Sequence, residues 1–236
     1  MNAHEGYRGK SVLVLGLARS GVSAIRLLLQ AGSRVSGADE NARVEIPADI
    51  ASVPVRVGGL GPELLDGADE LVVSPGIAID HPLLVEANRR GIPLTSELEL
   101  GYRFSKARLV AVTGTNGKST TVTMIGDILR EAGRTAIVCG NVGLPFCSVA
   151  RDLGPDDFYV LEISSFQLET VSTFHPEVAG VLNLTPDHLD RYRDVADYYR
   201  FKERIAENCA AGDSFFYNAC DRRCAAIAER FPGRLV

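Results

Sequence analysis

The chain has 236 residues, 46% of them hydrophobic, and 25 Lys and Arg against 30 Asp and Glu, for a formal charge of −5. That length suffices for one or two buried cores, and the acidic balance excludes the broad basic surface that a nucleic-acid binder needs. The N-terminus is polar and no apolar run approaches a membrane span, so no signal peptide, no membrane association and a cytoplasmic location are expected.

In chain order, residues 11–15 read as a short buried strand. A turn, Gly16-Leu17-Ala18-Arg19-Ser20-Gly21, leads into an apolar-rich helix over 22–30. A second strand covers 34–38 and ends at Asp39. A third apolar run at 71–73 is closed by Ser74-Pro75-Gly76. A helix follows at 81–90, then a short run at 92–94, and 96–104 resembles a linking helix. The alternation then restarts, with strands at 109–112, 135–139, 158–163, 178–182 and 214–217 and helices at 119–132, 195–209 and 221–230. Residues 233–236 look like the start of another strand. Strand–helix alternation with short connections predicts α/β architecture with parallel sheets. A Rossmann-like N-terminal domain is placed at 1–95 and a P-loop central domain at 96–236.

Two compositional points bear on chemistry. Cys139, Cys147, Cys209, Cys220 and Cys224 are odd in number and irregularly spaced, without the paired spacing or neighbouring His of a zinc site, and are read as free thiols. Only four of the 25 basic residues are lysines (Lys10, Lys106, Lys118 and Lys202), which draws some attention to each.

Gly114-Thr115-Asn116-Gly117-Lys118-Ser119-Thr120 stands between an apolar strand and an amphipathic helix. There, backbone N–H groups and a helix N-terminus cradle phosphates, Lys118 reaches the terminal phosphates, and Ser119 offers a hydroxyl to Mg²⁺. The spacing is shorter than the general P-loop pattern, with Val112 where that pattern has Gly. Glu162 ends an apolar run, at the edge where an open parallel sheet binds ligands, and is either a Mg²⁺ ligand or a carboxylate that faces water or pairs with an Arg. His188 follows the next strand and is read as a metal ligand, a phosphate contact or merely exposed. His4, His81 and His175 are read as structural or exposed. Lys202 lies on a charged helix whose ordinary reading is a solvated face. The other reading is a neutral amine that adds CO₂ to give a carbamate, a carboxylate-like metal ligand. In the first domain, Ala18 stands where a dinucleotide fingerprint requires Gly, so NAD binding is weakly supported. The helix N-terminus with Arg19 and Ser20, Asp39, and the Ser74-Pro75-Gly76 turn remain candidate contacts for a phosphate, a ribose or a base. They equally suit a structural unit without ligand.

Together these segments resemble the Mur ligase family. The motifs are the 114–120 loop, Leu161-Glu162-Ile163-Ser164-Ser165-Phe166-Gln167-Leu168-Glu169 and Asn183-Leu184-Thr185-Pro186-Asp187-His188-Leu189-Asp190-Arg191-Tyr192. Gly140-Asn141-Val142-Gly143-Leu144-Pro145 and Ser74-Pro75-Gly76-Ile77 fit as well. The resemblance implies ATP-dependent amide formation through an acyl phosphate, and the Ser-Ser-Phe-Gln-Leu-Glu run points to the D-glutamate-adding branch, in peptidoglycan precursor synthesis. It implies that Gly114, Thr115, Asn116, Gly117, Lys118, Ser119 and Thr120 bind ATP, with Lys118 at the transferring phosphoryl group. Ser119 and Glu162 would hold one Mg²⁺, and His188 with carbamylated Lys202 (N6-carboxylysine) a second. Arg19, Ser20, Asp39, Ser74, Gly76, Asn141, Ser164 and Gln167 match positions lining the UDP-N-acetylmuramoyl-L-alanine site. Family members have three domains. On that pattern the chain stops inside the second, the C-terminal D-glutamate-binding domain is absent, and a monomeric chain with little ligase activity alone is expected. A non-catalytic UDP-muramoyl and ATP-binding module is the competing reading.

Overall fold

A computed structural model describes residues 3–188 and 191–236, in two compact units. Leu189 and Asp190 of the Asp-His segment, Met1 and Asn2 of the polar N-terminus, and the side chain of His4 lie outside the described residues.

The first unit comprises Met1–Phe104 with Pro145–Ser148. After α1 (Ala3–Tyr7) come β1 (Ser11–Leu15), α2 (Arg19–Gln30), β2 (Arg34–Asp39), β3 (Val55–Val57), β4 (Glu70–Val73), α3 (Pro82–Arg89), β5 (Leu94–Ser96) and α4 (Glu97–Phe104). The strands form one parallel sheet in the order β3-β2-β1-β4-β5. A central parallel strand is covered on both faces, and Val12, Leu13, Val14 and Leu15 are all buried, each contributing about 2 kcal/mol by burial. The order reverses between β1 and β4, so the crevice above their C-terminal ends, flanked by Gly16 and Ser74, is where such a sheet takes ligands.

Three features of this unit depart from the sequence expectation. The three-residue edge strand β3 went unforeseen because Val55-Arg56-Val57 is too short to show a pattern. The helix α1 is a single turn. The linking helix, placed with the second domain, belongs to the first unit as α4, where Glu97, Leu98, Glu99, Leu100, Gly101 and Phe104 are buried. The boundary therefore falls at Phe104/Ser105, and Pro145–Ser148 returns to this unit with the Phe146 ring against Gly101.

The second unit comprises Ser105–Leu144 and Val149–Val236. Its elements are β6 (Arg108–Thr113), α5 (Lys118–Glu131), β7 (Ala136–Gly140), β8 (Phe158–Glu162), α6 (Ser165–Leu168), β9 (Val178–Val181), α7 (Val195–Glu203), β10 (Ser214–Tyr217), α8 (Arg222–Ala228) and β11 (Arg234–Leu235). All six strands are parallel, in the order β11-β10-β9-β6-β8-β7. The helix expected over 195–209 ends at Glu203 and continues only as a 3₁₀ turn over Arg204–Ala206. Residues 233–236 do begin a strand, β11, paired to β10. No helix among the described residues is long and apolar enough to cross a membrane.

All five cysteines are free. The plain readings of two histidines hold. His81 caps α3 by accepting from Leu83 N–H at 3.1 Å, and His175 sits 2.6 Å from Asp213.

Candidate active site

Sheet register assembles the second unit's candidate residues. β6 lies between β8 and β9, with Val112 opposite both Glu162 and Gly180, and Thr113 opposite Val181. The 114–120 loop, Glu162 and the 183–188 segment are separate in sequence yet leave the sheet side by side at its C-terminal edge. Gly114 begins the loop at φ +148°, and a Cβ there would press on Leu182 and the Asn183 N–H. Gly117 (φ 84°) caps α5, and Lys118 opens it. The first N–H groups of α5 have no intrahelical acceptor, and the helix dipole adds positive charge beside them. Val112, where the longer pattern has Gly, is fully buried inside β6, so the shorter loop starts only after the strand.

Ser119 Oγ donates to Glu162 Oε2 at 2.6 Å, and Asn141 Nδ2 donates to Oε1 at 2.8 Å. Both oxygens of a carboxylate only 3% exposed are thus oriented by side chains from the first turn of α5 and from the turn after β7. This corrects the water-facing alternative for Glu162 and gives Asn141 a contact that spacing did not suggest. Lys118 Nζ donates to the carbonyls of Gly114 and Thr115, both at 2.9 Å.

Lys202 corrects the solvated-face reading. It stands four residues after Tyr198, hence on the same helical face, and is 2% exposed. Its Nζ donates to Gly114 O at 3.0 Å and lies 4.9 Å from the Tyr198 ring centre. Burial first, and the Lys118 ammonium second, lower its pKa to about 7, against the opposing pull of Asp187 and Glu162. The charged neighbours that suggested a solvated face, Arg200 and Glu203, lie toward the outside of α7.

His188 is the outlying member. It adopts φ 52°, its side chain is 48% exposed, and its ring packs against Phe166 (4.9 Å) and Tyr198 (6.1 Å). It borders the same Tyr198 ring as Lys202. Among the described residues, no three His, Cys, Asp or Glu side chains form a cluster that could hold a metal. The donor set that does meet, Ser119 with Glu162, is hard oxygen, which suits Mg²⁺.

Ser164 and Gln167 turn toward each other. Ser164 N–H donates to Gln167 Oε1 at 3.0 Å and Gln167 N–H to Ser164 Oγ at 3.4 Å, a capping box that starts α6. Asn183, Thr185 and Tyr198, which spacing did not single out for roles, all contact the loop. The available signal was that Asn183 follows the strand beside β6.

In the first unit, α2 begins after Ala18, whose side chain gives no cap, leaving Arg19 exposed and Ser20 half-buried at the helix mouth. Asp39 accepts from Leu17 N–H at 2.6 Å and Asn41 N–H at 2.8 Å, and Ser74 Oγ donates to Gly16 O at 2.6 Å. These contacts gather the Gly16 turn, Asp39 and Ser74 at one sheet edge. Gly76 is exposed, with open space where a Cβ would stand.

A family model described as the Mur ligase middle domain matches residues 112–235, and one described as the Mur ligase MurD-like N-terminal domain matches residues 10–96. A UDP-N-acetylmuramoylalanine--D-glutamate ligase from Koribacter versatilis is 40% identical over 97% of this chain and 52% of its own length. One of the same name from Caldanaerobacter subterraneus is 43% identical over 96% of this chain and 51% of its own. The chain spans about half the length of the curated relatives it matches. Among solved structures, a UDP-N-acetylmuramate:L-alanyl-gamma-D-glutamyl-meso-diaminopimelate ligase from Neisseria meningitides superposes with a TM-score of 0.62 at 18% identity. It covers 96% of this chain and 77% of that one. A murein peptide ligase from Psychrobacter arcticus gives 0.59 at 20% identity, covering 96% of this chain and 53% of that one.

Proposed function

The chain belongs to the Mur ligase family, and from that premise we propose that its two units supply the ATP-binding and UDP-muramoyl-binding parts of an ATP-dependent, D-glutamate-adding ligase of peptidoglycan precursor synthesis. The observation that carries the proposal is the meeting of Ser119 and Glu162 at the mouth of α5, directly beside Lys118. A hydroxyl, a buried carboxylate, a helix N-terminus and a lysine at one point suit the terminal phosphates of ATP with Mg²⁺.

In this reading Gly114, Thr115, Asn116, Gly117, Lys118, Ser119 and Thr120 surround the phosphates, and Lys118 swings from the loop carbonyls onto the γ-phosphoryl group. Mg²⁺, when bound, supplies charge neutralisation for phosphoryl transfer between two anions. Ser119 and Glu162 would hold one ion, and His188 with Lys202 as its carbamate a second. Lys202 suits that modification because a pKa near 7 leaves much of its amine neutral, the form that adds CO₂. The substrate carboxylate takes the γ-phosphoryl group to become an acyl phosphate, and the D-glutamate amine displaces phosphate. In the first unit, Arg19, Ser20, Asp39, Ser74 and Gly76 would receive the uridine diphosphate, the anion lying against the start of α2. Asn141, Ser164 and Gln167 would act on the muramoyl-L-alanine end. For Ser164 and Gln167 this requires sharing groups that already cap α6.

The test is calorimetric titration of the 236-residue chain with UDP-N-acetylmuramoyl-L-alanine. The proposal expects saturable, equimolar binding that Asp39→Ala weakens at least about tenfold, the loss of a charged hydrogen-bonding partner. A folded chain that binds no UDP-muramoyl compound contradicts it.

A further inference from the structure

One side chain grips the phosphate loop from outside at two points. Asn183 lies just beyond β9 and takes both main-chain polar groups of Asn116. Asn116 N–H donates to Asn183 Oδ1 at 2.8 Å, and Asn183 Nδ2 donates to Asn116 O at 3.0 Å. Its own carbonyl accepts from Thr115 N–H at 3.0 Å. Two residues on, Thr115 Oγ1 donates to Thr185 O at 3.0 Å and accepts from Thr185 N–H at 3.1 Å. The segment after β9 therefore straps residues 115 and 116 through five hydrogen bonds, two of them made by one amide side chain. Among side chains in their neutral-pH forms, only a primary amide offers a neutral acceptor and a neutral donor side by side in one plane.

These bonds also divide the loop's N–H groups. Those of Thr115 and Asn116 are spent on Asn183, so they are not the ones a phosphate receives. The anion-binding groups are the N–H groups at the start of α5, and their direction is set by how the strapped loop delivers the chain to Gly117. We propose that Asn183 is a positioning residue for nucleotide binding: its two-point clamp on Asn116 fixes the loop so that the first turn of α5 and Lys118 converge on one phosphate. This rests on the nucleotide reading of the loop.

The experiment measures the affinity of the 236-residue chain for ADP with Mg²⁺ between about pH 3.5 and pH 8, a window that crosses the ordinary Asp pKa of about 3.9. Asn183→Ala and Asn183→Asp are each compared with the unsubstituted chain at the same pH, with melting curves alongside. Asn183→Ala loses both bonds and binds ADP about tenfold more weakly across the range. Asn183→Asp at pH 8 sets a carboxylate oxygen against the Asn116 carbonyl and loses at least as much. As the pH falls and the carboxyl takes a proton, it donates again and the affinity returns to within about threefold of the unsubstituted chain. A purely structural weakening does not reverse with acid in one variant alone. Asn183→Ala, being uncharged, carries the test alone should Asn183→Asp unfold at high pH. Variants that bind ADP like the unsubstituted chain overturn the clamp, as does an Asn183→Asp affinity with no recovery in acid. An unsubstituted chain that binds no ADP overturns the nucleotide reading itself, and the clamp with it.

Discussion

Ser119 Oγ and Glu162 Oε2 stand 2.6 Å apart, the first on the opening turn of α5 and the second at the end of β8. If they share a Mg²⁺ ligand sphere, Glu162→Gln leaves the Asn141 contact and the fold in place but removes the charge that attracts the cation. The expected outcome is that the gain in ATP affinity on adding Mg²⁺ falls at least about tenfold, while metal-free binding changes little. Titration with and without EDTA measures both. An unchanged Mg²⁺ increment contradicts the assignment.

Lys202 is predicted to form a carbamate reversibly. Because only the neutral amine adds CO₂ and burial beside Lys118 lowers its pKa to about 7, labelling by ¹³C-bicarbonate should rise with pH through that value. A carbamate resonance additional to that of the α-amino group is expected, present in the unsubstituted chain and missing from Lys202→Arg, since Arg stays charged. Identical spectra for the two chains, or no additional resonance on the alkaline side of pH 7, count against it.

Glu97 carries a pH effect on stability. Its Oε1 accepts from Cys147 N–H at 2.6 Å, while Oε2 has no hydrogen-bond partner among the described residues, and burial raises its pKa from 4.5 to about 7. The folded chain thus binds this proton more tightly than the unfolded chain does. The resulting stabilisation is complete below pH 4.5, declines as pH rises, and is gone above about 7. It amounts to about 3 kcal/mol. Glu97→Gln keeps the acceptor and removes the ionisation, so its melting temperature should overtake that of the unsubstituted chain progressively across this window. A difference that does not change with pH refutes the linkage.

The Gly16 turn makes a steric prediction. A Cβ on Gly21 would overlap the Gly16 carbonyl oxygen, which already accepts from Ser74. Gly21→Ala should therefore cost about 3 kcal/mol in urea unfolding, whereas Gly76→Ala, opening into empty space, should stay within about 0.5 kcal/mol. Equal stabilities would show that the turn yields.

The alternation of strands and helices was legible because both sheets are parallel and their central strands are continuous apolar runs, as in Ser11–Leu15 and Phe158–Glu162. The loop and Glu162 were legible because strand ends mark the ligand edge. For Lys202 the charge pattern alone favoured a solvated face, whereas burial on α7 is set by its i,i+4 relation to Tyr198 and not by its arginine neighbours. The clamp by Asn183 depends on β9 lying beside β6, and the Asn141–Glu162 contact on β7 lying beside β8, which no local pattern encodes. Ser164 and Gln167 were read for a ligand, although their spacing is also that of a capping box.

The most direct test of the account is binding of a non-hydrolysable ATP analogue with Mg²⁺ and of UDP-N-acetylmuramoyl-L-alanine to the unsubstituted chain and to Lys118→Ala. Both ligands are expected to bind the unsubstituted chain. Lys118→Ala should weaken the nucleotide at least about tenfold, through loss of a charged phosphate contact, and leave the UDP-muramoyl affinity unchanged. Nucleotide affinity that is indifferent to Lys118 in a folded chain would contradict it.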